Sequence, residues 1–238
     1  MKLDILAIVA HPDDVELSCG GTLISHARKG LKTGIVDLTR GEMGTRGTPE
    51  QRIEEAEEAG RRLLLSVRDN LEFKDAFFEN NNPHQLEVIR KIRQYQPEIV
   101  ITNAPYDRHP DHGRAARLVE EASFKAGLIK IETESDGAKQ DPWRPKKMYN
   151  CIQSLSLEPD FFVDITDSMD AKMEAIRAFR SQFYDPKSKE PETYISSPEF
   201  MKMLESRAQE YGHRIGVKYA EGFKYNQFLG VKSLFDLI

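Results

Sequence analysis

The chain has 238 residues, 39% hydrophobic and 31% charged, which is enough apolar content to bury a sizeable core and is read as one domain spanning 1–238. A net charge of -5 with acids and bases interspersed leaves no basic face for nucleic acid and no polybasic segment for anionic lipid, so the expected partner is a small molecule. No stretch approaches the roughly 18 consecutive apolar residues of a membrane span, and Met1-Lys2-Leu3-Asp4 lacks a signal-peptide pattern; a cytoplasmic location is the expectation.

In chain order, short apolar runs alternate with amphipathic segments at the spacing of βα units. Asp4–Ala10 predicts a first strand, and Gly20-Gly21-Thr22 leads into a helix ended by Gly30. Thr33–Leu38 predicts a second strand. After a Gly-, Thr- and Arg-rich loop, Thr48 and Pro49 open a long helix with a cap and a proline at its first position, and Ile53, Ala56, Ala59 and Leu63 form its apolar face. A third strand near Asn70–Phe73, a helix Gln85–Tyr95, a fourth strand Ile99–Thr102 and a helix from about Gly113 to Lys125 follow. Glu132–Pro145 reads as a polar surface loop, Tyr149–Leu155 and Phe161–Ile165 as further strands, and Ser168–Phe179 as a helix with Met169, Met173, Ile176 and Phe179 in the core. A polar loop Tyr184–Pro198 precedes a helix to about Tyr211, and the apolar tail from Val217 is expected to pack or to contact another subunit. The layout is α/β, a Rossmann-like, doubly wound and mostly parallel sheet with helices on both faces.

Two polar clusters stand where buried strands should surface. His11-Pro12-Asp13-Asp14-Val15-Glu16 follows the first strand, and Asp107-Arg108-His109-Pro110-Asp111-His112 follows the fourth. Each residue alone has an ordinary reading, since Asp after Pro is common turn and helix-cap chemistry. In a doubly wound sheet, however, the first and fourth strands are neighbours, and their carboxyl-end loops diverge into the crevice where such folds bind ligands. His11 and Asp14 are three apart, as are His109 and His112, a spacing that presents side chains on one side of a turn entering a helix. Two imidazoles and a carboxylate can therefore converge on one ion, as a catalytic zinc site with an open position requires; Fe²⁺, Co²⁺ or Mn²⁺ would suit the same donors. Adjacent Asp13 and Asp14 diverge, so both cannot easily be ligands and one is free for proton transfer. Cys19 and Cys151, the only cysteines, are too few and too far apart for a thiolate site and read as buried thiols. A dinucleotide is disfavoured, because this first turn presents carboxylates and lacks Gly-x-Gly-x-x-Gly.

Ala10-His11-Pro12-Asp13-Asp14-Val15-Glu16 together with His109-Pro110-Asp111-His112 resembles the LmbE/PIG-L family of N-acetylglucosaminyl deacetylases, and most resembles its bacillithiol-pathway branch, which acts on N-acetylglucosaminyl-malate. The resemblance implies His11, Asp14 and His112 as zinc ligands and Asp13 as general base. It also implies His109 as oxyanion stabiliser or proton donor, with Asp111 orienting its ring; a carboxylate in that place is expected to favour the imidazolium. Arg52, Arg108 and, in the late loop, Tyr194 match residues the family places near the substrate. Arg40 and Arg46, in the strand-2 loop, are further cations placed to rim the crevice. Family analogy also implies a homo-oligomer, with a hexamer as one form. Glu16 is either a residue supporting the metal or an early-helix acid, and His26, His84 and His213 read as ordinary histidines. The competing readings are another metal hydrolase on the same ligands, acting on an ester, phosphoester or different amide, and a non-catalytic metal- or sugar-binding module in which Asp13 merely caps a helix.

Overall fold

The computed structural model describes residues 1–238. Its centre is a seven-stranded sheet in the order β3-β2-β1-β4-β7-β9-β8, made of β1 (Ile5–Val9), β2 (Thr33–Thr39), β3 (Val67–Phe73), β4 (Ile99–Thr102), β7 (Lys147–Cys151), β8 (Phe161–Asp164) and β9 (Ala220–Lys224). The first five in this order run parallel, and β9 pairs antiparallel with both β7 and β8. The expected mostly parallel α/β sheet is therefore the observed one.

Alternation along the buried strands feeds two apolar layers. Leu6, Ile8, Val36, Leu38 and Val100 point to one face, where they meet Val88, Ile89 and Ile92 of α4 (Asn82–Tyr95) and Leu118 and Val119 of α5 (Pro110–Ala126). Ile5, Ala7, Val9, Ile35 and Ile101 point to the other, against Leu23 and Ile24 of α2 (Gly20–Arg28), Leu63, which follows α3 (Pro49–Arg62), and Ala175 of α6 (Met169–Arg177). Thr48 caps α3 by accepting from the Gln51 N–H, with Pro49 opening the helix. No helix is long and apolar enough to cross a membrane.

Several expectations shift. Ile53 is 38% exposed rather than buried, because the inner face of α3 also carries the buried charged residues Arg52 and Glu55. The loop Glu132–Pro145 contains a short hairpin, β5 (Glu134–Ser135) with β6 (Ala138–Lys139). The strand expected at Tyr149–Leu155 is β7, which starts and ends earlier, leaving Gln153 and Ser154 in the following loop. The last helix, α7 (Pro198–Ile215), runs one turn past Tyr211. The tail divides: Ala220–Lys224 enters the sheet as β9, whereas Phe228 and Phe235 are fully or almost fully exposed.

Candidate metal and active site

Strands β1 and β4 are hydrogen-bonded neighbours in the register Ile8↔Thr102, so their carboxyl ends lie level and the two polar clusters face each other. Asn103, the residue after β4, ties them: its Oδ1 accepts from the Ala10 N–H at 2.8 Å and its Nδ2 donates to Asp14 Oδ2 at 3.0 Å. Asp14 opens the short helix α1 (Asp14–Ser18) and stands between the two histidines, with Oδ2 3.5 Å from His11 Nδ1 and Oδ1 3.1 Å from His112 Nε2. The far nitrogen of each ring meets another carboxylate, His11 Nε2 at 3.1 Å from Asp75 and His112 Nδ1 at 2.6 Å from Asp107. Asp107 is fixed in turn by the backbone N–H groups of Arg108, Ser154 and Leu155.

The electrostatics follow from this crowd of acids. Burial alone would push His11 toward neutrality, yet Asp111, Asp14 and Asp75 reverse that and hold its pKa well above the usual value. His112 is likewise lowered by burial and raised by Asp14 and Asp107, to about 9. Asp14 is destabilised as an anion by burial but held well below the usual carboxylate range by His112 and His11. Four carboxylates thus draw positive charge onto two imidazoles. The donor set suits a divalent cation, which would meet that demand through His11 Nδ1, His112 Nε2 and Asp14, the outer carboxylates orienting the rings. The ligating atoms of His11, His109 and His112 also lie within 4.8 Å of one another, as do those of His11, Asp75 and Asp111.

Asp13 behaves differently from its neighbour. It occupies left-handed backbone, φ 108°, and makes no side-chain cap on α1, which removes the reading of it as a mere helix cap. Its carboxylate turns to Arg52 instead, at 3.1 Å. Burial raises its pKa and the Arg52 charge opposes this, leaving it at about 7, the range of a proton acceptor working near neutrality. Arg52 also donates to the carbonyls of Gly41 and Pro12. Gly41 has φ 66°, and a Cβ there would collide with the guanidinium, so the strand-2 loop needs glycine at this point.

His109 caps α5, its Nδ1 accepting from the Asp111 N–H at 3.3 Å, so that Nε2 carries the ring proton when neutral. Burial and the charges of His11 and His112 lower its pKa. This arrangement differs from the expected pairing. The Asp111 carboxylate faces His11 Nε2 at 3.4 Å and receives Arg114 at 2.6 Å, and only its backbone N–H meets the His109 ring; the geometry favours a neutral donor rather than an imidazolium.

These groups open into a cavity of about 420 Å³ walled by the loops after β1, β2, β3, β4 and β7 and by the late loop. Arg52, Arg108 and Tyr194 all line it. The exposed Arg108 lies over the Tyr194 ring, 4.3 Å from its centroid, and Tyr194 rests on Phe200. Arg46 also lines the cavity, but it is buried and bonded to Glu190 and Ser188. Arg40 is not among the lining residues. Glu16 is fully buried, 2.5 Å from Arg68, which also holds Asp37, so its role is in this ion cluster. His84 packs on Phe73 and His26 bonds the Thr22 carbonyl, both away from the cavity.

Sequence reasoning missed Asp75, Asn103 and Gln153 and gave Asp107 no role. All four follow the carboxyl end of a strand by a few residues, the one signal that marks them.

Comparisons with known proteins identify the family. Residues 6–123 match the family model described as PIG-L: GlcNAc-PI de-N-acetylase. The diacetylchitobiose deacetylase of Thermococcus kodakarensis is 30% identical over 93% of this chain and 82% of its own length. The chain belongs to the PIG-L family. A probable N-acetyl-alpha-D-glucosaminyl L-malate deacetylase 2 of Bacillus anthracis is 27% identical over 75% of the chain and 81% of its own length. Among solved structures, a conserved protein of Thermus thermophilus superposes with a TM-score of 0.86 at 37% identity, covering 97% of this chain and 98% of that one. The match to the family model ends at Ser123, so it includes both polar clusters and excludes the late loop bearing Tyr194.

Proposed function

We propose that this protein hydrolyses the acetamide of an N-acetylated amino-sugar conjugate, with water as nucleophile and acetate and a free amine as products. The observation that carries the reading is the contrast between two adjacent buried carboxylates. Asp14 lies between His11 and His112, 3.5 and 3.1 Å away, while Asp13 turns to Arg52 at 3.1 Å beside the same cavity, where burial raises its pKa to about 7. One divalent cation at His11, Asp14 and His112, for which zinc suits the nitrogen and oxygen donors, would supply Lewis-acid activation of water and of the acetamide carbonyl.

The chain's own groups do the rest. Asp13, aimed by Arg52, accepts the proton of the attacking water. As charge builds on the carbonyl oxygen, the His109 Nε2–H faces it as a neutral donor, an interaction that strengthens in the tetrahedral state. When the C–N bond breaks, the proton held on Asp13 passes to the leaving nitrogen.

For the aglycone, the expected N-acetylglucosaminyl-malate is supported by the Bacillus relative and by the exposed Arg108 at the cavity mouth, whose planar fork suits a carboxylate. A neutral disaccharide such as diacetylchitobiose is the second reading. It is favoured by Arg46 and Arg52 already being paired with Glu190 and Asp13, which leaves fewer cations for an acidic aglycone. Acetate release from N-acetylglucosaminyl-malate, diacetylchitobiose and free N-acetylglucosamine decides: a preference for the first supports malate, equal rates on charged and neutral conjugates defeat it, and no release from any of the three defeats the deacetylase reading. Assembly of identical chains, up to a hexamer, belongs to the same proposal. It is supported by the exposed Phe228, Leu234 and Phe235, and sedimentation velocity tests it.

A further inference from the structure

His11 and His112 present one nitrogen each toward Asp14, and something must decide which. An imidazole nitrogen that faces a carboxylate oxygen carries the proton, because a bare nitrogen there would set two acceptors against each other. Both His11 nitrogens face carboxylates, Nδ1 at 3.5 Å from Asp14 and Nε2 at 3.1 Å from Asp75; a cation held by Asp14 would take the place of the Nδ1 proton, and the neutral ring would then keep its proton on Nε2, toward Asp75. Asp111 also stands 3.4 Å from Nε2, on the oxygen that receives the Ala76 N–H, so the shorter contact of the ring is the one to Asp75.

Asp75 reaches this position from an unexpected direction. It follows β3, which is separated from β1 by β2 in the sheet, yet its side chain is buried at the metal-site ring. Two hydrogen bonds, each from a backbone N–H to a carboxylate, hold it there. The Met43 N–H donates to Asp75 Oδ2 at 3.0 Å, and the Asp75 N–H donates to Glu42 Oε1 at 2.8 Å. Next in the chain, Ala76 adopts left-handed backbone, φ 64°, a conformation costly for a residue with a Cβ, and its N–H meets Asp111. Met43, Gly44 and Arg46 of the same strand-2 loop line the cavity wall.

We propose that Asp75 is the positioning residue of this metal centre, fixing the tautomer and orientation of His11 while fastening the cavity loop Gly41–Gly47 to that ring. This rests on the reading of His11 as a ligand. It makes a particular forecast for Asp75→Asn, which keeps the size of the side chain but not its two acceptors. If the amide oxygen keeps the Met43 N–H, the NH₂ confronts Nε2 and drives the ring proton to Nδ1, into the cation's place. If the amide turns over, the NH₂ confronts the Met43 N–H and the loop is released.

The test is zinc titration of the zinc-free protein against a chelating dye, for wild type, Asp75→Asn, Asp75→Ala and His11→Ala, with thermal unfolding of each zinc-free protein alongside. Wild type should take up one zinc, and both Asp75 variants should bind it about 10- to 100-fold more weakly. Asp75→Asn should be no better than Asp75→Ala despite its closer shape. A purely structural Asp75 would lower the unfolding midpoint and leave the zinc affinity of the folded protein unchanged, and that result overturns the proposal. Wild-type affinity in His11→Ala would instead overturn the assignment of the ligand, a separate outcome from failure at Asp75.

Discussion

Replacing Arg52 with Met separates two roles for this buried guanidinium. If it tunes Asp13, its loss removes the positive charge 3.1 Å from the carboxylate and leaves burial unopposed, so the carboxyl pKa must rise above about 7. At an effective dielectric near 20, Coulomb's law gives about 5 kcal/mol for charges at that separation, an upper bound on the effect. Carboxylates beside arginine are typically lowered by about 1–3 pKa units, and that is the range expected to be lost. On the acid side of the limb, where the rate is proportional to the ionised fraction of Asp13, that rise lowers the rate by about 10- to 1000-fold at a given pH. The assay is kcat/KM for acetate release between pH 5 and pH 10, whose acid limb reports the base of the free enzyme. The limb should move to higher pH in Arg52→Met, with activity recovering on the alkaline side, and should move much less in Arg52→Lys, which keeps the charge. A cation at Asp14 lowers the limb in every variant, so the displacement between variants is the quantity predicted. If Arg52 serves instead to bind a substrate carboxylate, the limb stays in place and KM rises for acidic conjugates only; that pattern refutes the reasoning.

Alanine at His11, Asp14 or His112 should lower bound metal, measured by elemental analysis, and abolish hydrolysis. Asp13→Ala should retain the metal and lose on the order of 10²-fold or more in turnover, and near-normal turnover would move the base elsewhere. His109→Ala should lower kcat by about 10²- to 10³-fold with little change in KM, since its donor acts on charge that develops only in the transition state; a change confined to KM would make it a binding group. Arg68→Met leaves Asp37 and Glu16 as buried acids without their shared cation and should destabilise the fold by about 3–5 kcal/mol in urea titrations at neutral pH. Burial, opposed by Arg68, raises Asp37 to about 6, above its unfolded value, so its contribution to stability is present at low pH and is lost as pH rises through that value. The deficit of Arg68→Met should accordingly be larger at pH 8 than at pH 5, and a pH-independent deficit would exclude Asp37 as its cause.

The elements that surrendered to inspection of the sequence are those whose local signals and tertiary fates coincide. The β1 and β4 runs are apolar on both faces because helices cover both, and the meeting of their loops follows from the order of a doubly wound sheet. β9 escaped because Ala220–Lys224 carries Glu221, which looks solvent-facing in the sequence. In the fold it is buried, accepting from Lys172 at 2.6 Å and from the Gly21 and Thr22 backbone at the start of α2. Ile53 misled in the opposite sense. Its face of α3 is apolar by spacing, yet the helix turns Arg52 inward because Asp13 and two loop carbonyls must be met there. In both cases a buried charge with a distant partner overrode the pattern, and the partner is invisible to any window along the chain.

The same limit explains what could be read of the site. Adjacency alone says that Asp13 and Asp14 must diverge, but it does not say which becomes the ligand. That choice is made by neighbours remote in sequence. Asn103 and Gln153 hold the Asp14 carboxylate from the β4 and β7 ends, between the two rings, where positive charge keeps it ionised. Arg52 draws Asp13 away through a left-handed backbone turn into a pocket where burial, opposed by the guanidinium, leaves its pKa at about 7. Two identical side chains, one peptide bond apart, are thereby pushed in opposite directions, one toward permanent charge and one toward exchange of a proton near neutrality. That division of labour is set by environment rather than residue type. It also explains why exchanging either environment, at Asn103 or at Arg52, should alter chemistry at a carboxylate that the substitution leaves intact.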